Sequence, residues 1–316
     1  MTLSCLHTHT VFCDGKADME TMCAAAAAKG FRSIGFSSHA PIARQTGLTS
    51  AWHLKEERLG EYVEAALGAR KRWAGKLEVY LGLEVDYIEG LRGPADRDIQ
   101  ELPLDYIIGA VHYVPSPRGG EPFTVDGPPE EFGPGLREFG RDGLALCEAY
   151  YRACRLMVEA GGFDILAHLD LIKKNNGQFC FFTPGDPAYR RLLAETAAVI
   201  TAASSAAAPS AAASGESARA GGNAESARRR LVVEVNTGGM IRGRTAEPYP
   251  SAEPLGLLRR GAVPLTINAD AHSPEHLGGF YGEAAAAMKN AGYRSALIFE
   301  GRRDGEAVWR EEDITE

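Results

Sequence analysis

Two histidines stand at alternate positions near the start of the chain, in LHTHTVFCDG, and an aspartate follows them after a short turn. The chain has only eight histidines, so the pairing of His7 with His9 is a marked concentration. If the segment is a β-strand, side chains two positions apart point to the same face. Imidazole nitrogen and carboxylate oxygen together suit divalent Zn, Mn or Fe. The segment therefore predicts one edge of a metal site, with Asp14 close to the two histidines.

Similar residues follow apolar runs elsewhere in the chain. NADAHS places Asp270 and His272 two apart, and GLEVDY places Glu84 at the end of another run. Single histidines end three more runs, in SSHAP, GAVHYV and AHLDLIKK: His39, His112 and His168. A lone histidine at such a position is more often structural, but independent structural histidines have no reason to cluster at successive strand ends. The nine candidate ligands exceed what one ion needs and suffice for two or three ions with a bridging carboxylate.

Short apolar runs alternate with longer helical segments from one end of the chain to the other. The predicted strands are Ser4–His7, Ser33–Ser37, Val79–Val85, Tyr106–Val111, Ile165–Ala167, Leu231–Val235, Leu265–Asn268 and Ser295–Phe299. Between the first two, DMETMCAAAAAKG predicts a helix that begins on an acidic cap and ends at Gly30. Strands alternating with helices indicate a parallel α/β architecture, and seven or eight repeats fit a closed barrel better than an open sheet. Active sites of such barrels assemble at the carboxyl ends of the strands, where six of the eight histidines are predicted to lie.

Two segments depart from this alternation. Residues 114–135, VPSPRGGEPFTVDGPPEEFGPG, are rich in Pro and Gly and predict a long loop after a strand end. Residues 201–230 are a low-complexity run of Ala, Ser and Gly, so ordering them would gain little against an entropy cost of about 1–2 kcal/mol per residue. We expect a flexible surface insertion there, or an extension of the preceding helix at its Ala-rich start. The alternation resumes afterwards, so we expect one barrel domain over residues 1–316.

Composition limits the classes of partner. Apolar residues make up 45% of the chain and charged residues 24%, as in ordinary soluble proteins, and the formal net charge of −8 argues against binding to nucleic acid. No apolar run approaches the roughly 20 residues that span a bilayer, and the amino terminus lacks the features of a secretory leader. The six cysteines form no C-x-x-C pair, which indicates reduced thiols. We expect a cytoplasmic protein that binds neither nucleic acid nor membrane, while the oligomeric state stays open.

Seven segments of the chain, taken in order, closely resemble the signature segments of the PHP (polymerase and histidinol phosphatase) superfamily: HTHTVFCDG, SSHAP, GLEVDY, GAVHYV, AHLDLIKK, EVNTGG and NADAHS. The match is best to the histidinol-phosphatase branch and covers most of the chain except residues 201–230 and about the last dozen. The resemblance implies a distorted (β/α)7 TIM-like barrel with a trinuclear metal centre at the C-terminal rim of the strands. Two or three divalent ions, Zn, Mn or Fe, are therefore expected as cofactors.

The resemblance also assigns ligands to each ion. One ion would take His7, His9, Glu84 and Asp270. A second would share Glu84 as a bridge and add His112 and His168. A third would take Asp14, His39 and His272. All nine positions carry competent ligands, so nothing in the sequence suggests an inactive site.

The activity that the resemblance implies is hydrolysis of L-histidinol phosphate, a small-molecule phosphate ester, to L-histidinol and phosphate in histidine biosynthesis. Glu84, Asp270 and His272 are implied to act in catalysis, with Asp270 or a nearby histidine relaying the proton. Among the basic residues of HLDLIKK and NTGGMIRGR, Lys174 and Arg242 best fit the family spacing for phosphate binding. Acidic residues of the 114–135 loop could attract the cationic end of the substrate.

Three other functions stay open from the sequence. A PHP phosphoesterase could act on a nucleotide, a sugar phosphate or a nucleic-acid 3′ end, and a metal-binding barrel could be a non-catalytic scaffold. An amidohydrolase-type metallohydrolase also begins with His-x-His on a strand, but it usually needs a metal-bridging lysine or its equivalent, whereas Glu84 holds the comparable place here. His53 and His276 fall outside the ligand pattern. We expect His53 on the surface beside a helix start, and His276 in a structural role.

Overall fold

Short buried strands form the centre of the fold. The computed structural model describes residues 2–42, 47–48, 50–140, 143–206 and 230–314. Within them the strands are β1 (Ser4–Cys5), β2 (Ser33–Phe36), β3 (Glu78–Asp86), β4 (Tyr106–Ala110), β5 (Tyr113–Val114), β6 (Phe123–Thr124), β7 (Ile165–Leu166), β8 (Val232–Asn236), β9 (Leu265–Asn268), β10 (Ser295–Arg303) and β11 (Glu306–Asp313). In this part of the chain, seven strands form one parallel sheet in the order β1-β2-β3-β4-β7-β8-β9.

The first and last strands of this sheet approach each other and nearly close it into a barrel. Thr8 and Ala271 form a parallel bridge just beyond the ends of β1 and β9. The backbone N–H of His9 donates to the Ala271 carbonyl at 2.8 Å, and the N–H of Ala271 donates to the His7 carbonyl at 3.1 Å. The predicted seven-stranded TIM-like barrel is confirmed, and its seam is made by two of the histidine-rich segments.

Helices alternate with the strands along the chain. They are α1 (Met19–Ala28), α2 (Leu59–Trp73), α3 (Arg97–Gln100), α4 (Pro129–Leu136), α5 (Leu144–Ala160), α6 (Asn176–Phe179), α7 (Pro187–Ala206), α8 (Gly238–Ile241), α9 (Ala252–Arg260) and α10 (Tyr281–Asn290). The Asp18 carboxylate accepts a hydrogen bond from the Thr21 N–H at 2.8 Å, which is the predicted acidic cap of α1. None of the helices in the described ranges combines the length and apolar character needed to cross a bilayer.

Side chains that point into the barrel fill its amino-terminal half. The Tyr106 side chain on β4 lies across β2 and β3. A Cβ atom at Gly35 would stand 2.3 Å from its hydroxyl, and one at Gly82 would stand 2.4 Å from its ring, so both positions require glycine. Phe299 on β10 is 1% exposed and packs edge-on against Tyr106, with their ring centroids 5.6 Å apart. These side chains form an apolar plug at the amino-terminal end of the barrel. The polar side chains lie at the opposite end, where the strands have their carboxyl termini.

The 114–135 segment, predicted as a long loop, contains regular structure. β5 and β6 pair as an antiparallel hairpin, and α4 follows. Phe132 on α4 is fully buried and packs against Phe123 on β6, with 5.4 Å between ring centroids. The loop prediction relied on the abundance of Pro and Gly and did not consider these aromatic side chains. Their packing stabilises the segment.

The predicted strand near the end of the chain exists but does not join the barrel. β10 pairs with β11 in an antiparallel hairpin, which contacts the barrel sheet beside β9. The hairpin carries Phe299, so it closes the amino-terminal end of the barrel instead of extending the sheet.

The start of the predicted insertion is helical, because α7 continues to Ala206. This is the alternative in which the Ala-rich start extends the preceding helix. The predicted flexible insertion covers residues 201–230, and of these residues 207–229 lie outside the described residues.

Phe299→Ala is expected to lower the free energy of unfolding by about 3–5 kcal/mol, because it leaves a cavity at the closed end of the barrel. Denaturant-induced unfolding measures the change. Leu91→Ala, at a side chain that is 44% exposed, is the matched control and should stay within about 0.5 kcal/mol of the parent. Equal losses from the two substitutions would contradict a plug role for Phe299.

Candidate metal centre

The nine residues predicted as metal ligands come together at the carboxyl-terminal rim of the barrel. Seven of them line a cavity of about 430 Å³: Asp14, His39, Glu84, His112, His168, Asp270 and His272. The other two, His7 and His9, are completely buried and lie close to the Glu84 carboxylate. The barrel therefore brings together residues that are separated by more than 250 positions in the sequence.

Glu84 stands between two groups of histidines. Its Oε2 lies 2.9 Å from His39 Nδ1, 3.1 Å from His7 Nε2 and 3.5 Å from His9 Nε2. Its Oε1 faces the other way, 3.1 Å from His168 Nε2 and 3.7 Å from His112 Nε2. The two carboxylate oxygens therefore face different histidines, as they would in a carboxylate shared between two ions.

Two aspartates complete the groups on the rim. Asp270 Oδ1 lies 3.3 Å from His9 Nε2, and the Asp270 backbone adopts a φ of 50°, in the left-handed region that costs a non-glycine residue of order 1–3 kcal/mol. Asp14 Oδ2 lies 3.1 Å from His272 Nε2, and Asp14 Oδ1 lies 3.8 Å from His39 Nε2. The strained Asp270 backbone places a carboxylate at the barrel seam, beside the group of Asp14, His39 and His272.

The donor atoms fit a metal ion. Within the described residues, five buried atoms of the predicted ligands make no hydrogen bond: His7 Nε2, His9 Nε2, His39 Nδ1, Glu84 Oε2 and His168 Nδ1. Such atoms normally have a partner. Two ligands that bind one ion tetrahedrally at about 2.1 Å are roughly 3.4 Å apart, which is close to the spacings around Glu84.

Three clusters of ligand atoms in the described residues overlap the predicted grouping, although none of them includes Asp270 and one adds His9 to the third group. The first contains His7, His9 and Glu84, and the second contains Glu84, His112 and His168. The third contains His9, Asp14, His39 and His272, so His9 borders two clusters. Clusters of imidazole and carboxylate suit divalent Zn, Mn or Fe.

Burial and neighbouring charges shift the pKa values of the cluster in different directions. Burial would raise the pKa of Glu84, but His7, His39 and His112 hold that pKa well below its usual range. Burial lowers the pKa of His9 to about 3, and His272 and His39 add to this effect. The ionised Glu84 and the neutral His9 are the protonation states that metal ligation requires. Nearby carboxylates instead raise the pKa of His7, His39 and His112, so an ion bound there would have to displace protons from these rings.

A buried acid behind the cluster was missed in the sequence. Glu234 on β8 is completely buried, and its carboxylate accepts a hydrogen bond from His7 Nδ1 at 3.0 Å. It also accepts from the backbone N–H of His168 at 3.0 Å and from the side-chain amides of Asn236 at 2.8 Å and Asn268 at 2.9 Å. The available signal was an acid in the middle of the otherwise apolar run VVEVN.

The prediction that His53 lies on the surface is wrong. His53 is 7% exposed, and its Nε2 lies 2.7 Å from Asp86 Oδ2. The prediction failed because it considered the adjacent helix start, whereas the acid that holds His53 is 33 positions away. His276 accepts a hydrogen bond from the backbone N–H of His272 at 3.2 Å, a contact that agrees with a structural role.

The two basic residues predicted to contact phosphate also line the cavity. Arg242 donates to Asp270 Oδ2 at 2.7 Å, and its side chain is 30% exposed, which leaves it accessible from the cavity. Lys174 donates to Asp126 Oδ2 at 2.8 Å and to the Asp126 carbonyl at 2.9 Å. Lys173, by contrast, is absent from the cavity lining and donates to the Pro248 carbonyl at 2.8 Å.

Comparison with known proteins gives a consistent set of relatives. Residues 6–205 match the family model of the PHP domain. A Deinococcus radiodurans protein named "Probable histidinol-phosphatase" is 28% identical over 293 residues, covering 92% of this chain and 95% of the relative. The histidinol-phosphatase of Bacillus subtilis is 36% identical over 89 residues, covering 26% of this chain and 32% of that protein.

Two solved structures have the same fold. A candidate histidinol phosphatase from Listeria monocytogenes gives a TM-score of 0.70 at 20% identity, covering 88% of this chain and 98% of its own. The histidinol phosphate phosphatase of Lactococcus lactis subsp. lactis was crystallised with zinc, L-histidinol and phosphate. It gives a TM-score of 0.62 at 18% identity, covering 96% of this chain and 99% of its own.

Glu84→Gln is expected to reduce the number of zinc ions retained per chain, because an amide cannot supply a charged oxygen to the histidines on both sides of it. Elemental analysis after zinc loading and desalting measures retention. Glu78→Gln, at an exposed position on the same strand, is the control and should retain the parental number. Equal retention in the parent and both variants would show that Glu84 is not a metal ligand.

Proposed function

The chain belongs to the PHP domain family, and on this premise we propose that it is a metal-dependent phosphatase that hydrolyses L-histidinol phosphate to L-histidinol and phosphate in histidine biosynthesis. The observation that carries the proposal is the arrangement around Glu84, where three ligand clusters meet at one cavity and basic side chains line its wall. The relative that matches 92% of this chain bears the name of this activity, which supports the choice of substrate.

The ligand clusters would hold two or three divalent ions. We assign His7, His9, Glu84 and Asp270 to the first, Glu84, His112 and His168 to the second, and Asp14, His39 and His272 to the third. When bound, such ions polarise phosphoryl oxygens and lower the pKa of a coordinated water from 15.7 to about 7. The histidine and carboxylate donors suit zinc, manganese or iron.

Arg242 would bind the phosphate group. Its hydrogen bonds to the carboxylate and the carbonyl oxygen of Asp270, at 2.7 and 3.1 Å, fix the plane of the guanidinium at the cavity. A fixed guanidinium donates charge-assisted hydrogen bonds to phosphate oxygens in a defined direction. Lys174, held by Asp126, would contribute a second positive charge to the same wall.

The leaving alkoxide requires a proton. Asp270 and His272 both line the cavity and are therefore placed to deliver it. His272 Nδ1 lies 3.0 Å from the Asp270 carbonyl oxygen and 3.3 Å from Arg242 Nη1, and its Nε2 lies 3.1 Å from Asp14 Oδ2. We propose that Asp270 or His272 relays the proton to the departing oxygen, while Glu84 keeps the ions in place.

The cationic end of histidinol phosphate would meet acidic and aromatic side chains. Asp126, Glu131 and Trp52 line the same cavity as the ligand clusters. Burial opposes ionisation of Asp126, but Lys174 and His112 outweigh it and lower its pKa to about 2. The Trp52 ring is fixed by parallel stacking on Tyr113, with 5.6 Å between centroids, and offers a flat surface to a cation.

The test of the function is phosphate release by purified protein from histidinol phosphate, compared with nucleoside monophosphates and sugar phosphates. Parallel samples are stripped of metal and reloaded with Mn, Zn or Fe. We expect a strong preference for histidinol phosphate that disappears on stripping and returns with metal. A metal-dependent preference for another ester would contradict the substrate, and no hydrolysis by the reloaded protein would contradict the enzyme.

Arg242→Ala is expected to lower kcat/KM for histidinol phosphate by about 10–100-fold, because a hydrogen bond to a charged group contributes about 1.5–3 kcal/mol. Arg244→Ala, two positions away and absent from the cavity lining, is the matched control and should keep the parental kcat/KM. Steady-state phosphate release measures both variants. Equal effects would argue against phosphate binding by Arg242.

A further inference from the structure

A chain of hydrogen bonds leads from Ser50 through His53 and Asp86 to His112. Ser50 Oγ lies 2.7 Å from His53 Nδ1, and His53 Nε2 lies 2.7 Å from Asp86 Oδ2. The other carboxylate oxygen, Asp86 Oδ1, lies 2.8 Å from His112 Nδ1. His53, Asp86 and His112 are all buried, and neither His53 nor Asp86 has a role in the proposed hydrolysis.

The chemistry of these groups fixes the direction of each hydrogen bond. An ionised carboxylate can only accept, so the ring nitrogens of His53 and His112 that face Asp86 must both carry hydrogen. His112 Nδ1 is therefore the protonated nitrogen facing Asp86. When the ring is neutral, its lone pair lies on Nε2, the atom that faces Glu84 at 3.7 Å.

Asp86 itself is poorly placed to bind an ion, although His39, Asp86 and His112 lie close enough to form a cluster. Its Oδ1 accepts hydrogen bonds from the ring and from the backbone N–H of His112, at 2.8 and 3.3 Å, and its Oδ2 accepts from His53. Both oxygens are thus engaged by donors. An orienting role accounts for all three contacts.

We propose that Asp86, held in place by His53, is a positioning residue that orients His112 and increases the electron density of its Nε2 for metal binding. This inference rests on the proposed metal site and is independent of the substrate. Carboxylates that accept the second N–H of a ligating histidine strengthen metal binding, and their loss commonly costs about 10–100-fold in affinity.

His53 also contacts the wall of the cavity. Its ring packs against Trp52 with 3.9 Å between centroids, and Trp52 stands edge-on to His112 at 5.5 Å. A substitution of His53 can therefore change KM by moving Trp52. Metal affinity in the absence of substrate is the diagnostic readout, because it separates the two effects.

The test measures zinc affinity by competition with a chromophoric chelator. We expect Asp86→Asn to weaken the binding of a zinc ion by about 10–100-fold. His53→Leu should cause a smaller loss, and His53→Gln should restore much of it because its amide can donate to Asp86. In a His112→Ala background, Asp86→Asn should cause no further loss, since a positioning residue acts through the group it positions.

The matched control is Asp164→Asn, which alters a completely buried carboxylate at the other end of the barrel that pairs with Arg302 at 2.7 Å. It should reduce stability without changing zinc affinity, and unfolding curves of all variants separate the two effects. Parental zinc affinity in both Asp86→Asn and His53→Leu would overturn the inference. If Asp86→Asn does not fold, the His53 variants test the inference alone: weaker zinc binding in His53→Leu than in His53→Gln would support it, and equal binding would overturn it.

Failure of this inference differs from failure of the proposed function. Zinc affinity that depends on Asp86, in a protein that hydrolyses no phosphate ester, would support the positioning role and reject the phosphatase. Hydrolysis of histidinol phosphate, with unchanged zinc affinity in the variants, would support the phosphatase and reject the positioning role.

Discussion

The carboxylate of Glu234 is completely buried inside the barrel. Removing such a group from water costs several kcal/mol unless hydrogen bonds compensate for it. Here the donors come from four neighbouring segments: the ring of His7, the backbone of His168, and the side-chain amides of Asn236 and Asn268. Asn268 in turn accepts from the backbone N–H of Leu6 at 2.8 Å, across the seam of the barrel. Compensation of one buried charge thus ties the first strand of the sheet to its last three.

Buried carboxylates also set the orientation of two metal-facing histidines. The ring N–H of His7 is directed to Glu234, and that of His112 to Asp86. In each case the acceptor takes Nδ1, so that Nε2 is left for the cavity. Buried acceptors at the end of the barrel therefore determine which nitrogen of each ring can bind metal, before any ion is present.

The sequence contained the information for the strands and for the rim, because both depend on local patterns. Apolar runs ending in His or in a paired Asp and His identify strand ends, and parallel strands bring those ends together. Glu234 and Asp86 could not be assigned in this way, since their partners lie 227 and 33 positions from them. The position of β10 was also hidden. A strand that covers the end of a barrel has the same apolar pattern as one that joins the sheet.

The seam of the barrel and the metal centre are built from the same residues. Within the described residues, β1 and β9 are joined beyond their ends by the Thr8–Ala271 bridge, and the flanking side chains are His7 and His9 on one side, Asp270 and His272 on the other. His9 Nε2 and Asp270 Oδ1, which approach to 3.3 Å, belong to opposite edges of this seam. An ion bound between them would join the first and last strands more strongly than the few backbone hydrogen bonds do. A ligand that binds only the folded chain adds its binding free energy to stability, so metal binding at this seam would be thermodynamically linked to barrel closure.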